Sequence, residues 1–178
     1  MIGRVPVVAV PDPSLVVLVA PAGSGKSTFA ARQFAPDEIL SSDAFRAIVG
    51  RDEADQRATR AAFSALHRAA ARRLAAGNLT VVDATNVERH ARTALLRLAR
   101  AARLPAVAIV LDLPVSVVMA RNLRRRGRMV DATVVRHHIR LLRGAVDAGL
   151  IEAEGFDAIY RIRGERELDA VEVVRRPA

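Results

Sequence analysis

The segment Ala20-Pro21-Ala22-Gly23-Ser24-Gly25-Lys26-Ser27-Thr28 carries the densest chemistry in the chain. Its glycines let backbone N–H groups turn inward around a phosphate, and Lys26 can span the β- and γ-phosphates of a triphosphate. The Ser27 hydroxyl suits Mg²⁺, whose other ligands would be phosphate oxygens and water. Gly23, Ser24, Gly25, Lys26, Ser27 and Thr28 are therefore the candidate site for ATP or another nucleoside triphosphate. Alanine replaces the usual first glycine of the pattern, at Ala20. Lys26 is also the only lysine, the other 27 basic residues being arginine. Coding bias in a GC-rich genome explains most of that excess, which makes the surviving lysine informative: a compact ammonium enters a narrow phosphate-wrapping loop where a guanidinium fork fits poorly.

Absent motifs narrow what a bound triphosphate is used for. An Asn-Lys-x-Asp guanine reader needs a second lysine. A motor-type ATPase needs a water-polarising acid after its strand-end carboxylate, but Val81-Val82-Asp83 is followed by Ala84. Transfer of the γ-phosphoryl group to an acceptor hydroxyl remains, and it requires a base, charge neutralisation and exclusion of water. Ile39-Leu40-Ser41-Ser42-Asp43 puts an acid just past a strand end, across from the phosphate loop. Aspartate is equally favoured at a helix N-cap, so the pattern alone leaves Asp43 open between general base and cap. Arg46, one helical turn on, could hold an acceptor phosphate or simply face solvent. Arg121 and Arg125 share a helix face four residues apart and could both reach one triphosphate, while Arg124 and Arg126 are expected to face solvent. This Arg-rich stretch, about residues 121–135, reads as a lid broken at Gly127.

The elements that must position these groups alternate. Leu15–Val19, Glu38–Ser41, Leu79–Asp83, Pro105–Leu111 and Ala158–Ile162 read as strands. Lys26–Phe34, Asp43–Val49, Glu53–Ala76, Glu88–Ala102, Val115–Arg125 and Ala132–Val146 read as helices, with a weakly defined helix or strand at the end. Met1–Pro13, with one arginine and three prolines, shows no export signal. The pattern implies an α/β fold: a mostly parallel sheet with helices on both faces and ligands at the strands' carboxyl ends. At 178 residues one domain spanning 1–178 is expected, and 51% apolar with 26% charged residues excludes a disordered chain. No apolar run approaches the length of a membrane span. With no cysteine there is no disulfide scaffold or thiolate chemistry, and a reducing cytoplasm fits. The histidines suggest no metal pair; His67 reads as structural. Aromatic residues, at 3%, are too few to suggest a multi-base stacking platform. Of the net charge of +9, Met119–Gly144 holds seven, with eight arginines against Asp131; the remainder balances near zero. Such a field suits a polyanion.

Taken together, Ser14-Leu-Val-Val-Leu18, Gly23–Phe29, Ile39–Asp43, Ala61-Ala-Phe63 with His67, Leu79-Thr-Val-Val-Asp-Ala-Thr-Asn-Val87 and the Arg121–Val130 lid resemble the kinase domain of bacterial polynucleotide kinase-phosphatase. That domain is a 5′-OH polynucleotide kinase of the P-loop phosphotransferase superfamily that acts in RNA repair. The resemblance spans most of the chain in order. It implies that Lys26 and Ser27 bind the donor phosphates and Mg²⁺, that Asp43 is the base, and that Arg46 contacts the acceptor. It matches Arg121, Arg125 and Arg128 to a donor clamp, and Asp83, Thr85 and Asn86 to a strand-end motif beside metal and acceptor. The partner implied is a 5′-OH end of RNA or DNA. Phosphatase and ligase modules in a longer parent chain, and a homodimer formed through the lid, are further implications.

Two other readings stay open on the sequence. A small-metabolite kinase would share the fold and the chemistry, since such enzymes also clamp phosphates with arginine. A nucleic-acid-binding module with a regulatory nucleotide site would not need Lys26, Ser27 and Asp43 together.

Overall fold

Leu15-Val16-Val17-Leu18-Val19 is buried on both faces, as a continuous aliphatic run at the centre of a parallel sheet must be. The computed structural model describes residues 7–49, 56–125 and 129–178. In chain order these form β1 (Val7–Asp12), β2 (Leu15–Val19), α1 (Lys26–Gln33), β3 (Ile39–Ser41), α2 (Ser42–Val49), α3 (Gln56–Ala75), β4 (Thr80–Asp83), α4 (Arg89–Ala102), β5 (Ala106–Leu111), α5 (Val115–Leu123), α6 (Ala132–Asp147), β6 (Ala158–Ile162), α7 (Glu165–Ala170) and β7 (Glu172–Pro177). Five strands pair in the order β3-β4-β2-β5-β6, all parallel.

Each parallel pairing needs a crossover, and the helices that supply them cover both faces. Val16 and Leu18 point to one face, against Phe29 of α1, Phe34 just after it and Val118 of α5. Leu15, Val17 and Val19 point to the other, against Leu66 and Leu74 of α3, Leu95 and Leu96 of α4 and Leu142 of α6. The period-2 alternation of β2 thus divides the core in two. Gly77 ends α3 as expected: its φ is +71°, and its N–H donates to the Leu74 carbonyl at 2.9 Å. Among the described residues no helix is long and apolar enough to cross a membrane. Glu53, the expected start of the long helix, and Gly127, the expected lid break, lie outside the described residues.

The two ends of the chain depart from expectation. Val7–Asp12 is a strand, and it pairs in parallel with β7 as a separate two-stranded sheet, Val8 opposite Val173 and Val10 opposite Arg175. Val8 and Val10 enter the core while Val7 faces solvent. The Gln33 side chain ties this sheet to the end of α1, donating to Val171 O and accepting from Val173 N, each at 3.0 Å. Prolines at 6, 11 and 13 obscured β1. Its hydrogen-bonding partner lies some 165 residues away, so no local pattern reveals it. The last segment is both helix and strand, α7 followed by β7.

Candidate active site

The loop after β2 turns on two left-handed glycines, Gly23 with φ +84° and Gly25 with φ +90°. Gly23 meets a second requirement: a Cβ there would sit 2.8 Å from the Val118 carbonyl oxygen, because α5 packs directly on the loop. Gly25 precedes α1, whose first turn has no side-chain cap and no acid, so its N–H groups are left for an anion. Lys26 Nζ donates to the Pro21 carbonyl at 2.8 Å. Burial lowers the Lys26 pKa from 10.5 to about 8; Asp83 and Asp43 act to raise it, and Arg125 to lower it. Ser27 and Thr28 stand exposed at the mouth of the loop, and Ser24 is fully buried beneath it.

Asp43 lies in the first turn of α2. One of its carboxylate oxygens accepts from Arg46 and the other from Arg125 at 3.5 Å. Burial acts to raise its pKa, but the Arg46 hydrogen bond and charge, with Arg125 and Lys26, outweigh burial and hold the carboxyl below its usual value. Arg121 donates to Ser24 O at 3.3 Å and pairs with Glu165 of α7 at 2.9 Å. The base of the lid is pinned by Asn122, which donates to Val130 O at 2.7 Å and accepts from Val130 N at 3.2 Å. Asp131 caps α6 through Thr133 N at 2.7 Å. Arg124 is exposed, as expected; Arg126 and Arg128 lie outside the described residues.

Gly23, Gly25, Lys26, Ser27 and Thr28 of the loop face one cleft of about 1080 Å³ at the carboxyl edge of the sheet. Lys26, Asp43, Arg46, Asp83, Thr85, Arg121 and Arg125 line it together, although they come from four separate parts of the chain. Asn86 also borders the cleft, but its amide donates to Leu18 O at 2.8 Å and Ala84 O at 3.3 Å, with φ at +47°. Its amide hydrogens therefore shape the strand-end turn. Ser27 and Asp83 offer a hydroxyl and a carboxylate beside Lys26, a hard-oxygen donor set that fits Mg²⁺. Among the described residues no group of three His, Cys, Asp or Glu could hold a metal, so phosphate and water would complete the coordination.

Sequence reasoning missed part of the wall. His67, expected to be structural, lines the cleft with Phe63 one turn earlier, their rings edge to face at 6.5 Å. Phe63 and His67 four residues apart on α3 was the available signal. His138 of α6 also lines the cleft, and its Nδ1 is buried without a partner. Leu168 and Asp169 reach the cleft from α7, behind the donor loop, a position that only the chain's end-to-end folding supplies.

Comparison with curated proteins found no match. Among solved structures the chain is similar to a chain of the Pnkp1/Rnl/Hen1 RNA repair complex, with TM-score 0.66 and 22% identity over 78% of this chain. It spans only 47% of the length of that chain. It is also similar to Chaetomium thermophilum Kti12 in complex with ADP-AlF3, with TM-score 0.62 and 17% identity over 87% of this chain and 93% of that one. A gluconokinase from Sinorhizobium meliloti 1021 gives TM-score 0.55 and 17% identity over 89% and 91% of the two chains. At these identities the likeness establishes the fold, that of the P-loop kinases. The family model AAA_33, an AAA domain, matches residues 15–148, from β2 to the end of α6, and the chain belongs to that family.

Proposed function

We propose that the protein is a 5′-OH polynucleotide kinase, transferring the γ-phosphoryl group of ATP to the 5′-hydroxyl end of RNA or DNA. The observation that carries this reading is the pair of Asp43 and Arg46 in one cleft with the phosphate loop, Arg125 reaching Asp43 at 3.5 Å. An acceptor hydroxyl held by Asp43 would face the γ-phosphorus that Lys26 and the loop amides hold. Arg46 would take the acceptor's adjacent phosphate, a group that a nucleic-acid end provides.

In the reaction the acceptor oxygen attacks in line, the bond from the γ-phosphorus to the bridging oxygen breaks, and Asp43 takes the hydroxyl proton. ADP and a 5′-phosphate end result. Magnesium, held at Ser27 and Asp83, supplies neutralisation of phosphate charge when bound. Arg121 and Arg125 clamp the developing charge on the transferring group. Arg125 is bound to Asp43 before the donor arrives. Its move to the triphosphate removes one of the charges that depress the Asp43 carboxyl, which strengthens the base at the moment it is needed. Arg128 would extend the clamp, and Thr85 would flank the acceptor.

A second reading has one specific support, the likeness in length and fold to a gluconokinase: a small hydroxyl acceptor in the same cleft. One assay separates them. Incubation with γ-labelled Mg-ATP should label short 5′-OH RNA or DNA, and Lys26→Ala and Asp43→Asn should each abolish the label, Asp43→Asn leaving ATP binding intact. Label in a sugar or nucleoside but in no oligonucleotide would overturn the polynucleotide assignment. Turnover surviving Asp43→Asn would overturn the role of the base.

A further inference from the structure

The near-neutral balance outside residues 119–144 conceals a second basic region. Residues 56–103 hold ten arginines against only Asp83 and Glu88, and the compensating acids lie elsewhere in the chain. Helix α3 runs 20 residues and α4 runs 14 without one Asp or Glu. Coding bias explains arginine in place of lysine; it does not explain the missing acids. Exposed helices ordinarily interleave the two signs, because like charges four residues apart repel.

Position matters as much as charge. The two helices pack side by side, and both begin at the carboxyl edge of the sheet, where their first turns wall the cleft. On α3 the buried row Ala62, Leu66, Ala70 and Leu74 has an exposed counterpart two residues out of phase: Arg60, Ser64, Arg68 and Arg72. Arg60 and Ser64 line the cleft, so the row starts inside it and leads away. On α4, Arg97 follows the cleft-lining His90 and Ala94 at helical spacing and is likewise exposed. None of Arg60, Arg68, Arg72 and Arg97 forms an ion pair with a carboxylate among the described residues.

We propose that this row is a track for the phosphodiester backbone of the acceptor strand, running from the reacting 5′ end down α3, with Arg97 on its flank. The inference rests on the polynucleotide reading and adds to it a path and a length. Twelve residues separate Arg60 from Arg72, roughly 18 Å along the axis at ~1.5 Å per residue. That is about five stacked nucleotides at ~3.4 Å each. Binding should therefore strengthen as the acceptor lengthens to about six nucleotides, and then level off.

The test is the KM for single-stranded 5′-OH oligonucleotides of two to twelve nucleotides, using the full chain and the double variant Arg68→Gln/Arg72→Gln. Arg176→Gln, an exposed arginine on β7, controls for bulk charge. The variants alter exposed side chains, and circular dichroism checks the fold. In the unmodified protein KM should fall with length. In the double variant it should be about tenfold higher at twelve nucleotides, the difference shrinking as the acceptor shortens. Each lost phosphate contact lowers the magnitude of the log-salt slope of binding by about 0.7, so the pair should lower it by about 1.4. An unchanged length profile and salt slope, or an equal effect from Arg176→Gln, would overturn the track while leaving the kinase assignment standing. Failure of every oligonucleotide to accept phosphate would overturn the polynucleotide reading and the track together.

Discussion

Arg92 offers the sharpest test of how the cleft wall is held. Its side chain is 1% exposed and makes four hydrogen bonds: Nε and Nη2 to the two Glu154 carboxylate oxygens at 2.7 and 2.6 Å, and Nη1 to the Asn86 and Val87 carbonyls at 2.9 and 2.8 Å. The Glu154 side chain is 2% exposed, so Arg92→Met would strand a buried carboxylate and two carbonyls. Removing one partner of such a pair costs about 3–5 kcal/mol. In a chain of this size that lowers Tm by roughly 6–20 °C. The double variant Arg92→Met/Glu154→Leu removes both charges and should recover most of the loss. The same contacts fix the turn that carries Thr85, Asn86 and Glu88 into the cleft. Acceptor KM should therefore rise in Arg92→Met while ATP affinity holds. Urea unfolding followed by circular dichroism, with calorimetric ATP titration, measures both effects. A loss below about 1 kcal/mol, or a double variant no more stable than the single, would refute the reasoning.

Two further outcomes follow from the donor loop. Lys26 has a pKa of about 8 before phosphate arrives, and bound triphosphate returns it toward 10.5, so binding takes up a proton above neutrality. The higher pKa belongs to the bound state, hence affinity falls as pH rises: about tenfold from pH 7 to pH 9, with uptake of roughly half a proton at pH 8. Calorimetry in buffers of different ionisation heat reads this directly, and Lys26→Met should abolish the uptake; no uptake in the unmodified protein between pH 8 and 9 would contradict it. Two glycine substitutions should separate as well. Gly77→Ala has φ +71° but open space and should cost about 1–2 kcal/mol. Gly23→Ala adds the 2.8 Å clash with the Val118 carbonyl, and should cost more and weaken ATP binding besides, read by thermal unfolding and titration.

The sequence by itself determined the strands of the five-stranded sheet and which residues stand at their ends. Leu15–Val19 and Ala106–Leu111 are continuous apolar runs that suit a doubly covered parallel sheet, and the glycine loop with the single lysine has a local backbone logic. The pattern Ser41-Ser42-Asp43 located the candidate base for the same reason: a strand end and a helix start are both short-range signals. Tertiary structure decided what depends on distant partners. β1 exists because β7 pairs with it and Gln33 fastens the sheet to α1. Asn86 spends its amide on Leu18, 68 residues away, and Arg92 meets Glu154 at a separation of 62. His67 turns from a helix residue into a cleft residue because α3 crosses the carboxyl edge of the sheet. Local propensity acts over a few residues, whereas these contacts form only once the chain has closed loops whose entropic cost the buried core repays.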